Sequence, residues 1–327
     1  MPRFLRRLFR LALVVAAVAI AGVIWLGVVF ERPGPLRQEA TLVLPSGAGL
    51  DGIARRLTEA GIIDRPWLFR AGVRLSGATR RLKAGEYAFP AAISAKGAMQ
   101  ILIGGRTVVR RLTVPEGLTT AQVLALVDAA EGLSGAITER PDEGALLPET
   151  YYFSYGDGRD AVIARMRAAM RETLADLWAS RAAGLPLARP EDALILASMV
   201  EKETGKDGER ARIAGVFVNR LRRGMRLQSD PTVAYALAAG GVLDRPLTRA
   251  DLSVDSPYNT YRVKGLPPGP IANPGREAIA AVLHPAATKA LYFVADGNGG
   301  HLFARTLAEH NRNVALWRKA KRARQSD

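Results

Sequence analysis

Two kinds of hydrophobic pattern divide the chain. Leu11 to Phe30 is an unbroken uncharged run, "LALVVAAVAIAGVIWLGVVF", and its twenty residues at helical rise match the hydrocarbon core of a bilayer. After Glu31 the pattern becomes periodic. "ATLVLPSG" reads as a short strand and turn, and in "LDGIARRLTEAG" Leu50, Ile53, Ala54 and Leu57 share one helical face, with Gly61 placed as a C-terminal cap. A second helix is expected from Pro66 to Arg74, a returning strand at "GEYAFP", and a third helix in "SAKGAMQILIGG". "LTVPEGLTTAQVLALV" echoes "LVLPSGAGLDGIARRL" at an offset of 70 residues as strand, Pro-x-Gly turn and helix, without amounting to a repeat array.

The second half favours helices: one around Ala161 to Arg181, one from Pro190 to about Thr204, and one from Glu209 to Leu221. Near the end, Asp296 to Gly300 makes a turn between two apolar strands, followed by a helix and a basic tail. The expected class is α+β, with an N-terminal transmembrane helix, a small βααβ-type module and a mostly helical remainder with short strands.

Composition narrows the chemistry. Of 327 residues 48% are hydrophobic, enough for two or three cored domains. There is no cysteine, which excludes disulfides, thiolate metal sites and a cysteine nucleophile. The formal charge of +15 suits anionic partners. Arg3, Arg6, Arg7 and Arg10 precede the apolar run, so the positive-inside rule keeps the N-terminus cytoplasmic and places everything after Glu31 outside. A signal peptide would have a shorter apolar region and small residues at its boundary, whereas this run ends "GVVFERPG", as an uncleaved anchor does. A basic domain held outside the membrane does not meet nucleic acid. "ERPGPLRQ", Glu31 to Gln38, reads as a linker away from the lipid.

Three clusters carry candidate chemistry. In "LILASMVEKETG" the stripe Leu194, Ala197, Ser198, Glu201 surrounds a carboxylate with small residues, leaving room for a chain segment or a ligand. Glu203 lies about 200° around the helix, on the stripe of Leu196 and Val200. On the stripe alone, a helix-end charge paired with Lys202 or Lys206 is the simpler account of Glu201. In "GMRLQSDPTVAYAL", Ser229 or Asp230 before Pro231 is a helix start, and capping accounts for Asp230. Gln228 has no such structural role, and its amide suits sugar hydroxyls and acetamides. "SPYNTYRVKGLPPGPIANPG" gathers Tyr258, Asn259, Thr260 and Tyr261 ahead of a stiff Pro/Gly segment, a composition that serves a carbohydrate cleft or a tight structural loop. The three histidines, His284, His301 and His310, show no metal spacing, and no phosphate-cradling or GxSxG motif is present.

Taken in order, "EGALLPETYYF", "LILASMVEKETG", "RIAGVFVNRLRRGMRLQSDPTVAYAL", "SPYNTYRVKGLPPGPIANPG" and "YFVADGNGGHLFARTLAEHN" resemble the MltG (YceG-like) family of endolytic murein transglycosylases. The resemblance spans nearly all of the chain after the anchor. It implies cleavage of the MurNAc–GlcNAc β-1,4 bond within glycan strands, without water, leaving a 1,6-anhydro end. It assigns Glu201, the first glutamate of "VEKET", as acid and then base, and places Gln228, Thr232, Tyr235, Tyr258, Asn259 and Tyr261 in the substrate cleft. No cofactor or metal is implied. Partners would be peptidoglycan strands near the membrane and peptidoglycan synthases. The implied division is a cytoplasmic tip (1–10), an anchor (11–30), a linker (31–39), a LysM-like module (40–106), a connecting strand–helix segment (107–142), a catalytic domain (143–316) and a basic tail (317–327). Two other readings remain: a hydrolase in which Glu203 or Asp230 is a second carboxylate, and a non-enzymatic wall-binding anchor.

Overall fold

The computed structural model describes residues 3–206 and 208–325. Two compact units emerge, one of Met1–Arg110 with Gly132–Ser134 and Tyr152–Asp157, the other of Arg111–Glu131, Gly135–Tyr151 and Gly158–Asp327.

The first unit begins with helix α1 (Arg3–Glu31), whose stretch Phe9–Glu31 is long and apolar enough to cross a membrane. There follow β1 (Ala40–Leu44), α2 (Leu50–Glu59), α3 (Pro66–Leu75), β2 (Gly85–Phe89) and α4 (Ala95–Gly104). The βααβ order is the expected one, and β1 pairs antiparallel with β2 from Ala40↔Phe89 to Leu44↔Gly85. Local chemistry sets the boundaries. Pro66 opens α3, the Ser94 hydroxyl accepts the Gly97 N–H at the start of α4, and Gly105 ends it in the left-handed region. Leu44, Leu57, Ile62, Phe69, Tyr87, Phe89 and Leu102 fill the core, and Val29 and Phe30 of α1 are buried in it too.

Within the stretch read as a linker, Gly34 and Leu36 bond to the backbone of the module. Gly34 N–H donates to the carbonyls of Ala92 and Ile93, and Ala92 N–H donates to Leu36 O at 2.7 Å. A Cβ at Gly34 would lie 2.2 Å from Ile93 O, so glycine is required for this approach.

The chain passes between the units within β3 (Val109–Thr113) and again within β4 (Thr150–Ser154), which pair in a two-stranded sheet; α5 (Thr120–Ala129) lies between them in sequence. The rest of the second unit is α6 (Arg159–Ala179), α7 (Pro190–Glu203), α8 (Arg210–Arg222), α9 (Asp230–Leu237), α10 (Arg276–Leu283), the hairpin β5 (Tyr292–Ala295) and β6 (His301–Ala304), and α11 (Leu307–Gln325). The segment read as a basic tail continues α11 to Gln325; Ser326 and Asp327 of that tail, like Met1 and Pro2 of the cytoplasmic tip, lie outside the described residues.

Helix α7 is the centre of this unit. Leu196, Ala197, Met199 and Val200 have no exposed surface, and α7 packs against α8 and α10 through Ile213, Phe217, Ile279 and Val282. Its apolar length delivers the last turn, Glu201 to Glu203, to the edge of the core. The hairpin turn is held by Asp296 Oδ1, which accepts the N–H groups of Asn298 and Gly300.

Candidate active site

The two glutamates that end α7 enter different environments. Glu201 Oε2 accepts the Gly275 N–H at 2.9 Å, at the N-terminus of α10. Its Oε1 lies 3.3 Å from Arg210 Nη2, and the Glu201 side chain is only 4% exposed. Arg210 also reaches Glu116 at 3.1 Å, and a Cβ at Gly275 would fall 1.7 Å from Glu116 Oε1. The room left by the small residues of α7 is taken by the chain's own segment 271–275: Ser198 Oγ accepts the Ile271 N–H at 3.0 Å, below Glu201. With a cation and a helix N-terminus as its partners, this carboxylate braces α7, α8 and α10.

Glu203 faces the other way. Ser229 Oγ donates to its Oε1 at 2.6 Å. Burial pushes the Glu203 carboxyl up to about 7; the Ser229 hydrogen bond opposes this, the Asp230 charge adds to it, and Arg220 opposes it. The carboxyl lines a cavity of about 570 Å³ with Gln228, Asp230, Tyr261, Tyr292, His301 and His310. Tyr261 OH donates to Asp230 Oδ1 at 2.5 Å, and burial, reinforced by that carboxylate, raises the phenol's pKa so that it stays a donor. Arg220 is buried and gives its N–H groups to Leu291 O and Leu227 O, fixing the cavity wall. Gln228 has φ +50°, a left-handed backbone rare for its residue type, which turns its side chain outward at the cavity.

The expected cap role of Asp230 is not what forms. Ser229 is the N-cap residue of α9, and its hydroxyl is committed to Glu203 while the Asp230 carboxylate is committed to Tyr261. Asp230 also lines a second cavity of about 360 Å³, with Thr119, Lys202, Tyr235, Val242 and Leu247. The two cavities thus flank the start of α9 and share one carboxylate, a shape suited to an extended ligand.

Of the six residues expected to contact substrate, Gln228 and Tyr261 line the Glu203 cavity and Tyr235 lines its neighbour. Tyr258 packs behind Tyr235 with ring centroids 5.0 Å apart. Thr232 and Asn259 line neither cavity. Both have no exposed surface. Thr232 Oγ1 donates to Ser229 O and meets Thr260 Oγ1 at 2.9 Å, while Asn259 Nδ2 donates to the Leu252 and Val254 carbonyls and its Oδ1 accepts the Tyr261 N–H. They position Ser229 and Tyr261 from below.

Glu143, inside "EGALLPET", was not singled out by the sequence. It accepts the Thr120 N–H at 2.7 Å and the Tyr235 hydroxyl at 3.4 Å, and burial raises its pKa against those hydrogen bonds. Only a contact across 92 residues reveals that it sets the Tyr235 ring.

The model of the YceG-like family matches residues 42–316. The chain belongs to the YceG-like family. Its YceG-like sequence is 34% identical over 300 residues to a Bacillus subtilis (strain 168) protein named endolytic murein transglycosylase, covering 82% of each. A Streptococcus pneumoniae (serotype 2, strain D39) protein of the same name is 30% identical over 85% of this chain, which spans 58% of that relative's length. The 2.6 Å crystal structure of a yceG-like protein from Listeria monocytogenes aligns with a TM-score of 0.51 at 31% identity, covering 84% of this chain and 99% of that one.

Proposed function

We propose that this YceG-like protein is a membrane-anchored endolytic transglycosylase of peptidoglycan, breaking MurNAc–GlcNAc β-1,4 bonds to leave 1,6-anhydro ends. The names of its relatives support the general activity. The observation that supports the site is the place of Glu203 in a cavity shared with Gln228, Asp230 and Tyr261, where burial pushes its carboxyl up to about 7.

The proposed acid is therefore Glu203, two residues beyond the glutamate that the motif resemblance indicated. A general acid must be protonated near neutral pH and must reach the leaving oxygen. Burial raises Glu203 toward that range and its carboxyl lines the cavity, whereas Glu201 is ion-paired to Arg210 and bonded to the Gly275 N–H.

In the proposed reaction Glu203 gives its proton to the glycosidic oxygen as the C1–O bond breaks. Positive charge grows at C1 of the muramic residue, and the Asp230 carboxylate in the same cavity stabilises it. The C6 hydroxyl of that residue then bonds to C1, and its proton goes to the Glu203 carboxylate. The intramolecular nucleophile removes the need for the second carboxylate that a hydrolase uses. Gln228 and Tyr261 offer hydrogen bonds to sugar hydroxyls and the acetamide. The anchor, with the basic flank of α1 on the cytoplasmic side, would hold the enzyme where new strands emerge beside their synthases.

The test is the product. Full-length protein in detergent, incubated with uncrosslinked glycan, should yield anhydro-ended fragments by mass spectrometry; fragments one water heavier would make it a hydrolase. Loss of product in Glu203→Gln but not in Glu201→Gln supports the proposed acid, and the reverse pattern returns the role to Glu201.

A further inference from the structure

Helix α1 does not simply end and release the chain. Its last turn enters the folded module: Val29 and Phe30 are 6% and 7% exposed, and the Phe30 ring fills the space over Gly72 of α3, where a Cβ would lie 2.5 Å from it. Lys96 of α4 pairs with Glu31 at 2.6 Å. One turn earlier, the indole of Trp25 stacks on that of Trp67, at the start of α3, with centroids 6.4 Å apart and an interplanar angle of 13°. Both indoles stay open on their outer sides, Trp25 52% and Trp67 47% exposed.

We infer that the βααβ module docks on the bilayer, with Trp67 inserted at the boundary of hydrocarbon and headgroups in the leaflet where α1 ends. The inference rests on the reading of α1 as membrane-spanning. Trp25 lies five residues before Phe30, so its Cα sits about 7.5 Å inside the end of the apolar run. A ring stacked on it from the module shares that depth. The interfacial layer is where tryptophan is favoured, because its ring is apolar and its N–H needs a polar partner. Next to that turn, Arg32 and Arg65 line a recess of about 110 Å³ with Val29 and Asp64, whose carboxylate lies 3.6 Å from Arg65 Nε. Two guanidinium groups next to the last apolar turn meet the level of lipid phosphates. The lipid surface is continuous with the helix that crosses it, and no other occupant has that continuity.

The experiment uses the full chain in vesicles with lipids brominated at shallow or deep acyl positions. The protein has four tryptophans. Replacing three of the four, always including Trp178 and Trp317, by phenylalanine leaves either Trp25 or Trp67 as the sole emitter. The expected result is quenching of both, with Trp67 quenched at least twofold more by shallow than by deep bromines. Quenching of Trp25 with none of Trp67 would overturn the docking and leave the anchor intact. Absence of quenching for both, with protein failing to float with the vesicles, would instead overturn the spanning reading.

Discussion

Ser229 Oγ donates a 2.6 Å hydrogen bond to Glu203 Oε1, joining the last residue of α7 to the N-cap position of α9. The bond orients one oxygen of the carboxyl and leaves the other for the cavity. Glu203→Gln keeps the shape and removes the proton, so the rate of anhydro-product formation should fall by about 10²–10⁴-fold. Ser229→Ala should leave Glu203 intact but less well oriented. A loss of about tenfold in kcat with little change in KM, read from timed product assays, is the expected outcome.

The same carboxyl makes the enzyme sensitive to pH. Glu203 titrates near 7 in the fold, against an ordinary value of 4.5. Between those values the folded protein holds a proton that the unfolded chain has released. This group's contribution to stability is therefore fully present below pH 4.5 and is lost as pH rises through about 7. The rate should show an alkaline limb near pH 7, since the acid form is the one that starts the reaction. Urea unfolding from pH 5 to 8 should show stability falling with pH, and the Glu203→Gln variant should flatten that slope.

Arg210 separates the two glutamates by experiment. Its charge is the cationic partner of Glu201, and both side chains are nearly buried, at 13% and 4% exposure. Arg210→Met would leave a buried carboxylate without its cation, a change that costs about 3–5 kcal/mol. Chemical denaturation should show that loss, whereas Glu201→Gln, which keeps the Gly275 N–H as donor, should cost less.

Gly275 and Glu116 should be coupled. An alanine at 275 would push its methyl group into the Glu116 carboxyl and disturb the Glu116–Arg210 pair. Gly275→Ala should lower the Tm, and the loss should shrink by about 0.5–3 kcal/mol in a Glu116→Ala background. Additive effects in the double-mutant cycle would show that the 271–275 segment moves aside freely.

The elements were legible where punctuation is local. Pro66, Pro190 and Pro231 mark helix starts, Gly105 a helix end, and Asp296 to Gly300 a hairpin turn, and each acts through its own backbone within a few residues. The candidate site was legible as a set of motifs, because Gln228 and Tyr261 line one cavity with a glutamate of α7. Spacing does not choose between the glutamates. Helical spacing gives the angle between Glu201 and Glu203, but the occupant of each side arrives from Gly275 and Arg210 in one case and from Ser229 in the other. Nor does spacing give the surroundings of Thr232 and Asn259. Their polar groups suit a sugar equally well, and only the partners Thr260, Leu252 and Val254 show that they are already satisfied. In the linker stretch, proline and glycine content says nothing about tertiary hydrogen bonds such as Gly34 to Ile93.

Phe30 over Gly72 has a mechanical consequence. A membrane helix that ends in a slack tether answers a thicker or thinner bilayer by tilting alone. Here the last turn is part of a packed core shared with α3 and α4. In the proposed membrane-spanning arrangement a tilt of α1 would carry the whole βααβ module with it, making bilayer thickness a lever on the angle that module presents to the surface.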